Sequence, residues 1–170
     1  MSEVREALSQ YGKAVVNTAR QLMDKQKRNA SGNTRKALRF WITETKEGYR
    51  LSIGARGKVG KYLKWVAEGR GAGKRPPVRN IEEWIKNKRI KLRDKRGRFK
   101  KMTSANIRSA AFAISKKIGK EGTRPKPNFL EMAVDANADK LEDVKKESVK
   151  EVGVGIRQSL EQLKFAKENQ

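Results

Sequence analysis

The sequence from residue 38 to residue 53 reads Leu-Arg-Phe-Trp-Ile-Thr-Glu-Thr-Lys-Glu-Gly-Tyr-Arg-Leu-Ser-Ile. Apolar side chains occupy alternate positions on both sides of its Lys-Glu-Gly turn, at Leu38, Phe40, Ile42, Tyr49, Leu51 and Ile53. A period of two is typical of β-strands, so this stretch predicts a β-hairpin. Because a lone hairpin is only marginally stable in water, we expect it to pack against a helix or to join a larger sheet.

The segments on either side of the hairpin have a helical period instead. Residues 3–29 carry apolar side chains at spacings of three and four, at Val4, Leu8, Tyr11, Val15, Ala19 and Leu22. Further helices are predicted over residues 58–67, 78–88 and 104–119, the last with Thr103 as its N-cap. A final helical pattern starts at Phe129, and it leaves open whether Gly153 and Gly155 break it.

The order of these elements predicts one α+β domain over residues 1–170. It would contain an N-terminal amphipathic helix, a β-hairpin or small antiparallel sheet, and then several helices, including a long C-terminal helix. Within it we expect a basic insertion at about residues 89–102 and a C-terminal helical extension at about residues 129–167. Apolar residues make up 36% of the chain, a low share, so we expect a partner to supply part of the burial.

The composition argues against an enzyme. Cysteine and histidine are both absent, which removes thiolate metal sites and the commonest general base. The glycines near lysines do not have P-loop spacing, since five residues separate Gly54 from Gly60-Lys61 and Tyr62 follows. We therefore expect a protein that is not an enzyme, with no catalytic residues, no metal site and no cofactor.

No membrane association is expected from the sequence either. No stretch approaches the roughly 18 consecutive apolar residues that a membrane span needs, and the N-terminus lacks the pattern of a secretory signal. These features predict a soluble protein made in the cytoplasm.

Positive charge is the dominant compositional feature. The chain holds 42 Lys or Arg and 19 Asp or Glu, a net charge of +23, and residues 56–101 alone hold 18 cations and four acids. Six cations lie within nine residues beside one aromatic, Phe99: Arg93, Lys95, Arg96, Arg98, Lys100 and Lys101. Such a cluster is typical of a surface that neutralises phosphates without reading base sequence, and the alternative is a solvated loop that keeps a basic protein soluble. The alternation of apolar and basic residues across Asp-Lys-Arg-Gly predicts a small basic hairpin or an ordered loop.

Two further segments have the character of packing surfaces. The first, here called the elbow, comprises residues 62–69, in which Tyr62, Trp65 and Glu68 are followed by Gly69. The second, the strap, is residues 125–130, in which two prolines lead to an apolar pair: Pro125, Pro127, Phe129 and Leu130. For Tyr62, Trp65 and Trp84 the ordinary location is the core, at least for two of the three, and the alternative is an interface anchor. Glu68 is either an ordinary surface acid or the partner of an arginine.

In order along the chain, these segments resemble the tail-completion (neck, head-tail joining) proteins of tailed bacteriophages. The resemblance rests on the N-terminal helix, Ser31-Gly32 before the hairpin, and the elbow pattern Tyr-x-x-Trp-Val-x-Glu-Gly. It continues in Pro-Pro-x-x-x-Ile-x-x-Trp-Ile at residues 76–85, Ala-Phe-Ala-Ile at residues 111–114, and Pro-Asn-Phe-Leu at residues 127–130. Two features depart from the family pattern: Asn128 lies between the proline and the phenylalanine, and the insertion is unusually basic.

The resemblance implies a structural virion protein that forms a homo-oligomeric ring between the portal and the tail. Its implied partners are portal or adaptor proteins, tail proteins and, non-specifically, the genomic DNA that passes through the ring. We expect the elbow and the strap to contribute subunit contacts, and the six cations of the insertion to contact DNA or an acidic partner ring. The expected location is the neck of the virion, after assembly in the host cytoplasm. A free-standing nucleic-acid-binding protein without base specificity is the alternative.

Overall fold

The computed structural model describes residues 2–28, 30–46, 48–123 and 127–168. In chain order its elements are α1 (Glu3–Lys25), α2 (Asn33–Ala37), β1 (Arg39–Thr45), β2 (Gly48–Gly54), α3 (Gly57–Glu68), α4 (Val78–Asn87), α5 (Ser104–Glu121), α6 (Phe129–Asp135) and α7 (Ala138–Glu168). The predicted α+β class is confirmed. The short helix α2 was not predicted from the sequence.

The predicted hairpin is present, with β1 and β2 antiparallel. Phe40 lies opposite Ile53 and Ile42 lies opposite Leu51, so the apolar side chains of both strands share one face. Leu38, directly before β1, is fully buried. The period of two therefore placed both strands correctly, and the register of the structure aligns their apolar positions.

The chain divides into two compact units. The first consists of Met1–Gln21, Leu38–Gly54 and Leu130–Gln170, and the second consists of Leu22–Ala37 and Ala55–Phe129. The prediction that residues 1–170 form a single domain, with an insertion and a C-terminal extension, stays a prediction.

In the first unit, α1 packs closely against the hairpin. Its buried face includes Tyr11 and Val15, as the helical period predicted. At Gly12 a β-carbon would lie 2.6 Å from Cδ2 of Phe40 and 3.2 Å from Cδ1 of Leu51, so the helix backbone approaches the sheet without room for a side chain.

In the second unit, α4 packs against α5. Their shared core contains the buried side chains Ile85, Leu92, Ile107 and Ala111. Thr103 is the N-cap of α5, as predicted, since its hydroxyl accepts a hydrogen bond from the backbone N–H of Asn106 at 3.3 Å. The unit therefore has an apolar centre to which the loop that follows α4 is attached through Leu92.

The C-terminal helical pattern forms two helices, and the break lies elsewhere than at the glycines. Helix α6 ends at Asp135, whereas α7 runs from Ala138 through Gly153 and Gly155 to Glu168. Asn137 lies at the break and is buried, and its side-chain amide donates to the carbonyl of Ala133 at 2.7 Å and to Oγ1 of Thr18 at 3.1 Å. Asparagine favours such non-helical positions because its amide competes with the backbone for hydrogen bonds.

Two glycine substitutions should have opposite effects on stability. Alanine is favoured over glycine in a helix by about 1 kcal/mol. At Gly12 the methyl group would collide with the ring of Phe40, and overpacking of this kind costs about 1–3 kcal/mol, so Gly12→Ala should be destabilising. At Gly153 no atom of the described part of the chain lies within 4 Å of the added β-carbon, so Gly153→Ala should increase stability by about 1 kcal/mol. Urea denaturation followed by circular dichroism measures both changes, and a stabilising Gly12→Ala would contradict the close approach of α1 to the hairpin.

Candidate functional site

The predicted insertion is an ordered loop, here called the basic loop, of residues 90–101. A single β-bridge joins Arg93 to Phe99, and the backbone N–H of Lys100 donates to the carbonyl of Leu92 at 2.9 Å. Leu92 is buried in the core of the second unit. Of the two forms predicted, the structure has the ordered loop, closed by one bridge and anchored through Leu92.

Asp94, the only acid in the sequence of the basic loop, holds its turn together. Its carboxylate accepts hydrogen bonds from the backbone N–H of Arg96 at 2.8 Å, the backbone N–H of Arg98 at 2.9 Å and Nε of Arg98 at 2.9 Å. These bonds, first that from the backbone N–H of Arg98, lower the pKa of Asp94 below its usual value. The acid is therefore engaged within the turn.

Phe99 projects from the basic loop with cations around its ring. The side chain is 62% exposed, Cζ of Arg93 lies 4.2 Å from the ring centroid, and Nζ of Lys91 lies 5.6 Å from it. Both distances are within the range of cation–π interactions. Arg93 also donates from Nη1 to the carbonyl of Gly97 at 3.0 Å, which fixes its guanidinium beside the ring.

All six cations predicted to contact DNA or an acidic partner are exposed. Arg98 forms an ion pair with Asp94 at 2.9 Å, and Arg93 lies on Phe99. In the part of the chain that the structure describes, the other four form no ion pair: Lys95, Arg96, Lys100 and Lys101. The basic loop thus presents positive charge that internal acids do not neutralise.

The elbow is the C-terminal end of α3. Its terminal residue Gly69 has a positive φ of 90° and donates its N–H to the carbonyl of Trp65 at 3.0 Å. Trp65 is 58% exposed, Tyr62 is half-buried, and the exposed Glu68 lies 4.0 Å from Nζ of Lys64. The partner found for Glu68 is therefore a lysine of its own helix.

The core location expected for two of the three aromatics is wrong. Trp65 is 58% exposed and Trp84 is 39% exposed. Tyr62 and Trp84 line a groove of about 420 Å³ in the second unit, together with Asn80 and Asn87. Both aromatic side chains share this groove with polar residues, which the helical spacing alone did not reveal.

Hydrogen bonds connect the end of the elbow to the residues that precede the strap. The backbone N–H of Arg70 donates to Oγ1 of Thr123 at 2.8 Å, and the N–H of Thr123 donates to the carbonyl of Arg70 at 2.7 Å. Gly122 has a positive φ of 74°, and a β-carbon there would lie 2.2 Å from the carbonyl oxygen of Arg70. Only glycine permits this close approach without a shift of the backbone.

Arg28 connects the same two segments and was missed in the sequence. Its guanidinium donates to the carbonyls of Val66 and Ala67, the latter at 2.6 Å, and to the carbonyl of Pro127 at 2.7 Å. It also lies over the ring of Phe129, 5.4 Å from the centroid. Burial lowers the pKa of Arg28. No sequence signal distinguishes Arg28 from the neighbouring lysines and arginines, so its contacts could not be predicted.

The strap residues differ in their exposure. Phe129 is fully buried, Leu130 is half-buried and Pro127 is exposed, whereas Pro125 lies outside the described residues. Phe129 therefore contacts neighbours within the chain. Exposed surface for a subunit contact is offered by Pro127 and, in the elbow, by Trp65 and Glu68. Their predicted role at a subunit interface stays a prediction.

Among the described residues there is neither a cluster of metal ligands nor a membrane-spanning helix. No group of three acidic, histidine or cysteine side chains in residues 2–28, 30–46, 48–123 and 127–168 is placed to hold a metal ion. Within the same ranges, every helix is too short or too polar to cross a membrane.

Comparison of the chain with protein-family models, curated proteins and solved structures found no match. The family resemblance therefore rests on the residues quoted from the sequence, and it stays a prediction.

Removal of the Arg28 side chain should destabilise the second unit. Hydrogen bonds from a charged donor contribute about 1.5–3 kcal/mol, so Arg28→Ala should lower the free energy of unfolding by roughly 2 kcal/mol. Arg28→Lys should recover only part of the loss, because a lysine cannot reach carbonyls on both segments with a planar fork. Urea denaturation measures the change, and Arg5→Ala, at an exposed position on α1, is the control with an expected effect within about 0.5 kcal/mol. An Arg28→Ala protein as stable as this control would contradict the connecting role.

The order of the basic loop should depend on pH through Asp94. The pKa of Asp94 is lowered in the folded protein. The ionised carboxylate therefore stabilises the loop at any pH above the ordinary pKa of aspartate, about 3.9. This stabilisation is lost as the pH falls through the lowered pKa. The amide resonances of Arg96 and Arg98 should therefore shift in NMR spectra only below about pH 4. Asp94→Asn should abolish this titration, whereas Asp143→Asn on α7 should leave it unchanged. If the amide resonances still shift with pH in Asp94→Asn, the titration belongs to another group.

Proposed function

We propose that this protein is a structural component of a bacteriophage virion, a ring in the head-tail connector between portal and tail, through which the genome passes. Its role is to bind neighbours and to carry positive charge along the DNA path, and it catalyses no reaction. It would reside in the virion neck and assemble in the host cytoplasm.

The observation that carries the proposal is the geometry of the basic loop. Four exposed cations lie in or directly after a turn that Asp94 holds in place, and among the described residues none of the four forms an ion pair with an acid. Their charge is available to phosphates, and the loop carries no helix or strand suited to a groove of DNA. This is the arrangement that a channel for DNA of any sequence requires, because backbone charge is the same along every duplex.

The elbow supports the assembly part of the proposal. Trp65 is 58% exposed on a helix end that Arg28 and Thr123 hold in place. Tryptophan is enriched in the centres of protein interfaces because it offers a large, rigid contact area. A fixed, exposed tryptophan beside Glu68 is therefore suited to a contact with a second copy or with a neighbouring ring.

One observation favours the alternative, a free-standing nucleic-acid-binding protein. Phe99 is 62% exposed and flanked by Arg93 and Lys91, which is suited to the stacking of an unpaired base. Tight binding of nucleic acid by a monomer would favour this alternative. Weak binding by a protein that forms rings with a portal complex would favour the connector.

Neutralisation of the basic loop should reduce DNA binding and its salt dependence. We expect the triple variant Lys95→Gln/Arg96→Gln/Lys101→Gln to flatten the slope of log K against log salt concentration by about 2.7, since each lost phosphate contact contributes about 0.9. Fluorescence anisotropy with a labelled duplex measures the slope. The control Lys36→Gln/Lys46→Gln/Arg50→Gln removes the same charge from exposed positions elsewhere and should change the slope by much less. Equal slopes in the two triple variants would contradict the assignment of the basic loop to DNA.

Ring formation should depend on Trp65. We expect Trp65→Ala to reduce assembly with a purified portal complex by roughly tenfold or more, as for the loss of an interface anchor. Negative-stain electron microscopy and size-exclusion chromatography measure the assembled fraction. Phe112→Ala is the control, because Phe112 is an aromatic residue on α5 with a similar exposure of 55%. Normal assembly of Trp65→Ala would contradict the assignment of the elbow to the interface.

A further inference from the structure

A second concentration of positive charge lies in the first unit, where α1 meets the start of β1. A pocket of about 320 Å³ opens there, lined by Lys13, Val16, Asn17, Arg20, Arg39 and Phe40. The sequence did not indicate it, because Lys13 and Arg39 are 26 residues apart and each lies in an ordinary polar position of its own element.

The polar residues of α1 reach the pocket through the helical period. Lys13, Asn17 and Arg20 follow one another at intervals of four and three, so they lie on one face of the helix. Arg20 donates from Nη2 to the carbonyl of Leu38 at 2.8 Å. Since Leu38 is fully buried and directly precedes Arg39, this bond fixes the start of the strand beside the helix.

The lining favours an anion. It contains three cationic side chains and one amide, and no acidic side chain lines the pocket in the described part of the chain. Val16, which is buried, and Phe40 supply an apolar wall. Arginine and lysine together provide the fork and the point charge with which proteins commonly bind phosphate.

We propose that this pocket binds a phosphate group, held between Lys13 and Arg39, with Asn17 as a further donor. The phosphate belongs either to a nucleic-acid backbone or to a free phosphate compound. In the first case the inference rests on the proposed function and extends the DNA contact to the first unit. In the second it is independent of that function.

Titration of the full-length protein with inorganic phosphate, followed by NMR, tests the site. At roughly millimolar phosphate, compared with chloride at equal ionic strength, we expect amide shifts concentrated at residues 13–20 and 38–40. In the variant Lys13→Gln/Arg39→Gln the phosphate affinity obtained from these shifts should fall at least tenfold. In the single variant Lys13→Gln the affinity should fall by less. Both residues are exposed, so the remaining amide spectrum should show that the fold is retained.

The charge-matched control is Lys46→Gln/Arg50→Gln, at exposed positions at the turn of the hairpin and in β2. It should retain the phosphate shifts. Absence of these shifts from the wild-type protein, their persistence in Lys13→Gln/Arg39→Gln, or an equal loss in the control would each overturn the proposal.

A duplex-binding measurement identifies the source of the phosphate. If it belongs to nucleic acid, Lys13→Gln/Arg39→Gln should flatten the slope of log K against log salt concentration by about 0.9, the contribution of one phosphate contact. An unchanged slope, together with lost binding of inorganic phosphate, would assign the pocket to a free phosphate compound. Since neither measurement requires a ring, failure of the connector proposal would leave the phosphate shifts in place, whereas failure of the pocket would leave ring assembly in place.

Discussion

One guanidinium group, that of Arg28, connects the end of α3 to the strap. The carbonyls of Val66 and Ala67 lie at the end of α3, where a helix leaves backbone acceptors without partners of its own, and Arg28 donates to both. The same group donates to Pro127 and lies over the fully buried ring of Phe129. A charged donor at a helix C-terminus also interacts favourably with the helix dipole. The end of α3 and the strap are therefore held together, and the exposed face of the elbow, including Trp65, is held with them.

Both units present exposed cations, but the local structure that leaves these cations exposed differs between them. In the basic loop the single acid, Asp94, is used within the turn, so the neighbouring cations face solvent. In the first unit, Lys13 and Arg39 line a pocket to which no described acidic residue contributes. The exposed ion pairs between neighbouring helical turns, such as Arg79 with Glu83, contribute little to stability. The cations of the basic loop and the pair Lys13 and Arg39 are thus exposed, which is the property on which both the proposed DNA contact and the proposed phosphate site depend.

The candidate site was predicted in part. The cluster of cations around Phe99 and the turn at Asp94 were visible as adjacent residues, because a tight turn is a local structure. The exposure of Trp65 and Trp84 was not visible, since helical spacing indicates a stripe of apolar residues but not whether a neighbour covers it. Arg28 and the pair Lys13 and Arg39 were missed for a related reason. A basic residue that binds distant carbonyls or lines a pocket is identical in sequence to one that is merely solvated.

By itself the sequence determined the α+β class, the two strands of the hairpin, the helices α1, α3, α4 and α5, and the N-cap at Thr103. Each of these follows from interactions within a few residues or across one turn, which periodicity and capping preferences describe. The tertiary structure alone decided the division into two units, the break between α6 and α7 at a buried Asn137, and the partners of Arg28. These depend on which distant segments meet, and such contacts form only after long loops close, so no local pattern in the chain contains them.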